Sequence, residues 1–272
     1  MINKVIKTDN RVLGMLLFSP LLLLLIFGGE VLRYGLLVLS SICIYEFYHA
    51  FTNRDIHANL YLGILFNVIF YVFLLGNEID ENHLLMIFVL FLLVCLGYTL
   101  FSKKNNIIDA FVTFIPSMYI SIPWSLLLLI DAMPKGNLLI WIPLITTWCC
   151  DILAYYIGKN FGRIKLSESI SPKKTVEGSI GGIIGSVGIS MLVGVIFGET
   201  LNISLIHFLF MGIIAGIVGQ MGDLVASSIK RYNGIKDFSH IIPAHGGMLD
   251  RFDSVLFNNM AIFLYLSIIL KL

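Results

Sequence analysis

Charged residues are scarce in this chain. Asp, Glu, Lys and Arg make up only 13% of its 272 residues, whereas 58% are hydrophobic and the mean hydropathy is +0.91. A soluble domain carries about 25% charged residues, so the composition excludes an ordinary soluble protein and favours a membrane protein. With a formal net charge of only +1, no nucleic acid partner is expected.

Cysteine is also rare, and its positions exclude two kinds of stabilisation. The four cysteines are Cys43, Cys95, Cys149 and Cys150. Their spacing fits neither a disulfide framework nor a zinc site. All four lie in or beside apolar runs, which indicates that they pack there as apolar residues.

Long apolar runs, by contrast, recur along the whole chain. Each is roughly 17 to 25 residues long, enough to cross a hydrocarbon layer about 30 Å thick as an α-helix. Uniformly apolar runs of this length predict helices rather than barrel strands. The sequence therefore predicts an all-α, polytopic transmembrane helix bundle of about nine spans. These spans are 12–28, 34–50, 59–76, 84–101, 107–130, 138–157, 179–197, 204–226 and 254–270.

The fifth span allows two interpretations. It contains Pro116 and Pro123, and a proline inside a helix removes a backbone hydrogen bond. The two prolines either kink one helix or divide the segment into a re-entrant pair.

The distribution of positive charge predicts the orientation, because Lys and Arg are retained in cytoplasmic loops. With a cytoplasmic N-terminus, every Lys and Arg falls on the cytoplasmic side except Arg33, Lys135 and Lys271. The outer loop at 77–83 is acidic. We therefore expect a multi-pass protein of the cell (inner) membrane, with its termini on opposite sides.

Polar residues divide the chain into two regions. Residues 1–137 form an N-terminal transmembrane scaffold of about five spans. Residues 138–272 form a C-terminal region in which polar residues concentrate. This region contains two long basic loops, 158–178 and 227–253, which are expected in the cytoplasm. The sequence therefore predicts that catalysis belongs to 138–272.

Glycines gather in the seventh and eighth spans. A phosphate-cradling glycine loop is the less favoured interpretation. Glycines four residues apart clear one face of a helix for close approach in lipid, so the two spans are expected to pack tightly and hold the two loops together. The pairs at this spacing are Gly178 with Gly182, Gly181 with Gly185, and Gly212 with Gly216.

Four carboxylates in the C-terminal region lie at membrane boundaries or inside a span. Asp151 lies inside the sixth span, about 9 Å from its cytoplasmic end. An unpaired Asp at the bilayer centre costs about 3 kcal/mol, so Asp151 is expected to face a polar interior. Asp250 and Asp253 share a face if the ninth helix begins there. If the eighth helix continues past the membrane, one face of it carries Asp223, Ser227, Lys230 and Arg231.

The residues of these loops carry a family resemblance. Ser-x-apolar-Lys-Arg at 227–231, Lys-Asp at 236–237 and His-Gly-Gly-apolar-x-Asp-Arg-apolar-Asp at 245–253 match the phosphatidate cytidylyltransferases, or CDP-diacylglycerol synthases. Segments 151–163 and 171–178 resemble two upstream stretches of the same family. Recognisable motifs of the family cover about 148–253. The first 140 residues resemble the family only in consisting of hydrophobic spans.

This resemblance implies a nucleotidyltransferase that makes CDP-diacylglycerol and pyrophosphate from CTP and phosphatidic acid, at the cytoplasmic face and in contact with membrane lipid. One or two Mg²⁺ ions, replaceable by Mn²⁺, are expected on Asp223, Asp250 and Asp253. A homodimer is left open. The other implied catalytic residues are Lys230, Arg231, Lys236, Asp237, His245 and Arg251. The implied substrate-binding residues are Asp151, Lys173, Lys174, Thr175, Ser227, Gly246 and Gly247.

Other interpretations and two departures accompany this resemblance. Glycine-rich spans with an intramembrane Asp are also typical of ion-coupled transporters, although no repeated half is visible and polar residues gather at one face. A polyprenol kinase is a further alternative. Ala226 stands where relatives commonly have Glu, and Ala244 where they commonly have Gly. Outside the motifs, Glu46 and His49 are expected to pair near the cytoplasmic end of the second span.

Overall fold

The computed structural model describes residues 22–74, 81–101, 106–242 and 246–272. Most of the first expected span, much of the acidic loop at 77–83 and the site residue His245 lie outside the described residues. Within the described part, almost every element is a helix, which confirms the all-α prediction in its main point. Residues 22–27 are also helical. The helices are α1 (Gly29–Phe51), α2 (Leu60–Phe73), α3 (Glu81–Phe101), α4 (Ile107–Pro116), α5 (Ile122–Ala132), α6 (Gly136–Leu139), α7 (Trp141–Phe161), α8 (Val176–Leu201), α9 (Leu205–Tyr232) and α10 (Leu249–Leu264).

Short elements complete the described chain. A 3₁₀ turn follows α1 at Thr52–Arg54, and π-helical turns lie at Ser117–Ser121 and Tyr265–Ile269. Strands β1 (Lys165–Ser167) and β2 (Ser171–Thr175) pair antiparallel, with Lys165 opposite Thr175 and Ser167 opposite Ser171. This hairpin occupies the segment expected to be the cytoplasmic loop 158–178.

Seven helical segments in the described residues are long and apolar enough to cross a membrane, so the chain is a membrane protein. α2 coincides with the third expected span but has only 14 residues, which is about 21 Å of helix and short of a hydrocarbon layer about 30 Å thick. The count of nine spans and the orientation of the N-terminus therefore stay predictions. The seven segments are Gly29–Arg54, His83–Phe101, Ile107–Ala132, Gly136–Phe161, Val176–Leu201, Leu205–Tyr232 and Leu249–Ile269.

The fifth expected span is one continuous helical segment, Ile107–Ala132. α4 ends at Pro116, a five-residue π-helical turn follows, and α5 begins one residue before Pro123. A π-turn widens the helix locally and so accommodates a residue that lacks a backbone N–H. Of the two interpretations, the structure favours the single helix over the re-entrant pair.

Side chains at helix starts explain several element boundaries. Asn59 accepts a hydrogen bond from the N–H of Leu62 at the start of α2. Asn106 and Asp109 form a reciprocal capping box at the start of α4, as expected for an acidic residue in a first helical turn. Thr175 caps α8 by accepting from the N–H of Gly178 at 3.1 Å.

The described residues form two compact units. The first takes the residues up to Ser125 together with Tyr232–Arg251, and the second takes Leu126–Arg231 together with Phe252–Leu272. These units are defined by contacts between residues. The division at 137/138 rests instead on where polar residues concentrate in the sequence, and it stays a prediction. Inside the first unit, the buried Asn67 amide donates to the hydroxyls of Ser40 and Ser41 and accepts from Ser121, so its polar atoms are satisfied away from lipid.

Glycines set the packing of the second unit, as the sequence predicts, but they serve three interfaces: α7 with α8, α8 with α9, and α9 with α10. A Cβ at Gly182 would lie 2.8 Å from the Sγ atom of Cys150 in α7. A Cβ at Gly212 of α9 would lie 2.6 Å from the Cα atom of Val187 in α8. The glycines of α8 therefore admit α7, and those of α9 admit α8. This places α8 between two close neighbours rather than in a single pair.

Candidate active site

A polar cleft of about 560 Å³ opens in the second unit. This volume lies in the range of about 300 to 1,000 Å³ that ligand sites usually have. Its walls come from α7, the β-hairpin, the start of α8 and the C-terminal half of α9. The charged residues that line it are Asp151, Lys159, Lys173, Lys174 and Asp223. Asp151 therefore lies beside other charged residues of this cleft.

Carboxylate–lysine ion pairs form among the described residues of this unit. Lys174 Nζ lies 2.5 Å from Asp223 Oδ2, with roughly a quarter of each side chain exposed (25% and 29%). Lys230 Nζ lies 3.9 Å from Asp253 Oδ2, and both of these side chains are only 10% exposed. The negative charges of Asp223 and Asp151 also act on Asp253. Negative charge therefore concentrates here and is balanced by lysines.

α9 carries the predicted face of polar residues. The helix continues to Tyr232, so Asp223, Ser227, Lys230 and Arg231 all lie on it. The Ser227 hydroxyl donates to Asp223 Oδ1 at 3.2 Å one turn away. Ser227 and Lys230 are buried, whereas Arg231 is exposed.

The β-hairpin brings two lysines to the cleft. Lys173 and Lys174 lie in β2, and Thr175 turns the chain into α8. Glu177, in the first turn of α8, accepts hydrogen bonds from the N–H groups of Arg163 and Ile164 and thereby holds the base of the hairpin. Sequence reasoning missed the hairpin, because its strands are short and lack an alternating apolar pattern. The side chain of Thr175, predicted to bind substrate, caps a helix.

In the first unit, the segment between α9 and α10 is held at its beginning by Arg54. The Nε of Arg54 donates to the carbonyl oxygen of Tyr232 at 2.7 Å, and its guanidinium lies 5.1 Å from the centroid of the Tyr232 ring. This contact joins a turn after α1 to the last residue of α9. Sequence reasoning assigned Arg54 only to a cytoplasmic loop.

The other end of the same segment is held by two buried carboxylates. Asp250 Oδ2 accepts from the N–H groups of Phe238 and Gly247 at 2.8 and 2.9 Å. Glu46 of α1 accepts from the hydroxyl of Ser239 and from the N–H groups of Met248 and Leu249. The expectation that Glu46 pairs with His49 missed these partners. A buried Glu near the end of an apolar helix was the signal that pointed to them.

The two glycines of the His-Gly-Gly motif have conformational reasons to be glycine. Gly246 has φ +86°, a left-handed conformation that a side chain disfavours. Its N–H and carbonyl both bond to Ile242. A Cβ at Gly247 would lie 2.8 Å from Glu46 Oε2. The expected contact of these glycines with substrate stays a prediction.

The predicted site residues thus fall into two clusters, one in each unit. Lys236 and Arg251 are exposed, and Asp237 is partly exposed. Asp250 and Asp253 both lie in the first turns of α10. The second-unit cluster is Asp151, Lys173, Lys174, Thr175, Asp223, Ser227, Lys230, Arg231 and Asp253. The first-unit cluster is Lys236, Asp237, Gly246, Gly247, Asp250 and Arg251.

The donors suit Mg²⁺ bound together with phosphate. Among the described residues, no group of three or more His, Cys, Asp or Glu forms a ready-made metal site. Mg²⁺ needs only one or two carboxylates when substrate phosphates and water supply its remaining ligands. Asp223 and Asp253, each now beside a lysine, fit that requirement better than Asp250, whose Oδ2 already accepts two N–H bonds. The metal assignment stays a prediction.

Comparison with known proteins places the chain in a family. A model of the cytidylyltransferase family matches residues 9–269. The phosphatidate cytidylyltransferases of Staphylococcus saprophyticus and Bacillus subtilis are 33% and 31% identical to this chain, over 93% of it and 95% of their own lengths. That of Aquifex aeolicus is 46% identical over 112 residues, 41% of this chain and 40% of its own. Because the match spans nearly the whole chain, the protein belongs to the cytidylyltransferase family, a family of nucleotidyltransferases.

Proposed function

We propose that the protein is a phosphatidate cytidylyltransferase, which converts CTP and phosphatidic acid into CDP-diacylglycerol and pyrophosphate. The observation that carries this proposal is the cleft lined by lysines and carboxylates in a membrane-embedded member of the cytidylyltransferase family. The relatives that match over 93% of the chain bear this name. Both substrates are anionic phosphates, and one is a lipid.

The reaction requires positioning more than base catalysis. An oxygen of the phosphatidic acid phosphate forms a bond to the α-phosphorus of CTP. The bond from that phosphorus to the β-phosphate oxygen breaks, and its electron pair leaves with pyrophosphate. The attacking phosphate monoester is already ionised at neutral pH, so the barrier lies in bringing anions together and in stabilising the charge that moves to pyrophosphate.

Residues of the second unit supply the charges for this task. Lys173 and Lys174 line the cleft, where their ammonium groups can contact the triphosphate. Lys230 is buried beside Asp253 and provides a fixed positive charge. The other expected cations, Arg231, Lys236 and Arg251, are exposed, and their contact with phosphate is part of the proposal.

Asp223 and Asp253 would hold Mg²⁺, with Asp250 as a further candidate. The bound ion would supply charge that neutralises the phosphates and the departing pyrophosphate. The pairing of Lys174 with Asp223 supports this assignment, because it places a positive charge directly beside the carboxylate. A bound metal ion would supply positive charge at the same position. Mn²⁺ is expected to substitute for Mg²⁺.

The site is proposed to open to the cytoplasm, where CTP is available, in a protein of about nine spans embedded in the cell membrane. The concentration of Lys and Arg in 158–178 and 227–253 supports this orientation. A homodimer is compatible with this proposal.

Two isotopic labels test the reaction directly. Purified protein is incubated with phosphatidic acid, Mg²⁺ and CTP labelled either at the α-phosphate or at the γ-phosphate. We expect the α-label to enter the lipid phase and the γ-label to leave as pyrophosphate, both only when phosphatidic acid is present. Transfer of the γ-label to lipid would identify a lipid kinase instead, and hydrolysis of CTP without lipid product would also contradict the proposal.

A further inference from the structure

The start of α10 has its backbone donors already occupied. The N–H of Gly246 donates to the carbonyl of Ile242 at 3.1 Å, and that of Gly247 to Asp250 Oδ2 at 2.9 Å. The next two N–H groups, of Met248 and Leu249, donate to the two carboxylate oxygens of Glu46 at 2.9 and 2.7 Å. Free N–H groups at a helix start commonly bind phosphate, but these donate to acceptors within the chain.

Burying the carboxylate of Glu46 costs free energy unless hydrogen bonds compensate for the lost water. Glu46 is 0% exposed, and a buried carboxylate is tolerated only when it is well hydrogen-bonded. Its Oε1 accepts from Met248 and from the hydroxyl of Ser239, at 2.9 and 2.5 Å, while Oε2 accepts from Leu249. The positive end of α10 adds a favourable electrostatic contribution. All three partners are hydrogen-bond donors, and they tie three points of one segment together.

The path of the chain around Glu46 is complementary to its carboxylate. A Cβ at Gly247 would lie 2.8 and 2.9 Å from the two Glu46 oxygens, so only glycine leaves room for the carboxylate. Ser239 lies nine and ten residues before Met248 and Leu249, whose N–H groups Glu46 also binds. The carboxylate therefore ties Ser239 to Met248 and Leu249, immediately before Asp250 and Arg251.

We propose that Glu46 is a positioning residue for the catalytic segment: its carboxylate takes the place of a substrate anion at the start of α10 and fixes the turn that carries Gly247 and Asp250. In consequence, the substrate phosphates are bound by side chains and metal and not by the N–H groups of 246–249. The inference about turnover rests on the proposed function, whereas the inference about the turn does not.

Glu46→Gln is the most informative substitution. It keeps the length of the side chain but replaces one acceptor oxygen by an NH₂ group, which would face the N–H of Met248 or Leu249. Hydrogen bonds to charged groups are the stronger ones, so we expect kcat to fall at least about tenfold while the KM for CTP changes less than about twofold. Faster hydrogen exchange is expected at the amides of 247–249.

Two further variants keep the test decisive. Ser239→Ala removes one donor and leaves the fold intact, so a smaller decrease in kcat in the same direction is expected. Glu30→Gln is the matched control, because Glu30 lies on the same helix and its side chain is 65% exposed in a local pair with Arg33. Glu30→Gln should leave kcat and exchange unchanged.

The outcomes separate this inference from the proposed function. Faster exchange confined to 247–249 together with a lower kcat supports Glu46 as a positioning residue. Unchanged exchange and kcat in Glu46→Gln would overturn it, as would a general loss of thermal stability with wild-type kcat in the folded fraction. If wild-type protein makes no CDP-diacylglycerol while exchange still rises at 247–249, the proposed function fails and the assigned turn stands.

Discussion

Four acidic residues in and around the candidate site differ in what they are bonded to, and this difference separates their roles. Asp253 and Asp223 have lysines as their ion-pair partners. Glu46 and Asp250 accept hydrogen bonds from backbone N–H groups. A carboxylate paired with a lysine side chain can exchange that partner for a metal ion, whereas one that holds backbone cannot do so without moving the chain. The first pair therefore suits ligand binding and the second suits positioning.

Asp253→Asn tests the ligand-binding role. The amide keeps the shape of the side chain but loses the charge, so we expect turnover to fall at least about 100-fold, since a catalytic metal contributes several kcal/mol of charge stabilisation. Thermal stability is expected to fall, because the substitution removes the carboxylate beside the buried Lys230, although it also relieves the repulsion from Asp223 and Asp151. CDP-diacylglycerol formation is measured across a Mg²⁺ titration, with EDTA as the zero point.

Glu199→Gln serves as the control for Asp253→Asn, since Glu199 is exposed at the end of α8 in the same unit. Full turnover of Asp253→Asn in EDTA, or a wild-type Mg²⁺ dependence of this variant, would show that Asp253 does not bind the metal.

Lys174→Gln tests the contact with phosphate. Lys174 lines the cleft and pairs with Asp223, and charge-assisted bonds to phosphate are about twice as strong as neutral ones. We expect the KM for CTP to rise about tenfold. Lys165→Gln is the matched control, because Lys165 lies exposed on the neighbouring strand of the same hairpin. Equal effects of both substitutions would indicate general surface charge rather than a phosphate contact.

At the scale of elements, glycine decides how closely α7 and α8 approach. A Cβ at Gly185 would lie 2.8 Å from the carbonyl oxygen of Cys149 and from a Leu153 methyl, whereas one at Gly188 meets nothing within 4 Å. Both glycines lie on α8, one turn apart. They therefore form a matched pair for measuring the contribution of close packing.

Gly185→Ala should destabilise the protein by about 1 to 3 kcal/mol, the usual effect of overpacking. Gly188→Ala should be neutral or slightly stabilising, because alanine is the better helix former by about 1 kcal/mol. Thermal unfolding in detergent measures both. If the two variants unfold at the same temperature, the close approach of α7 and α8 does not limit stability.

Elements differ in how far the sequence alone determines them. The spans were predictable because hydrophobic length is a local property, and α7, α8 and α9 lie where apolar runs predict them. The β-hairpin was missed because its strands are short and polar. The role of Glu46 was missed because its partners lie 193 to 203 residues away, and no local pattern encodes a hydrogen bond over that separation.

At the scale of the whole molecule, the orientation in the membrane is the prediction that matters for access of CTP. Single cysteines at Glu168, His240 and Asn137, all exposed, are introduced into a protein whose four natural cysteines have been replaced. We expect membrane-impermeant thiol reagents to label the first two only in inside-out vesicles and the third only in right-side-out vesicles.

Retained cytidylyltransferase activity of the cysteine-free protein is the control for this labelling. Labelling of His240→Cys from the outside would reverse the proposed orientation and place the motif segment away from cytoplasmic CTP.

The long sequence separation between Glu46 and its partners also affects the order in which the protein assembles during its synthesis. A ribosome that adds about 5 to 20 residues per second takes roughly 10 to 40 seconds to travel from Glu46 to Leu249. Throughout that interval α1 exists without the N–H groups that later bond to its carboxylate. During that interval the carboxylate of Glu46 cannot form these hydrogen bonds. The final packing around Glu46 can therefore form only after the start of α10 has been synthesised. Assembly of this segment is thus one of the last events in the biogenesis of the protein.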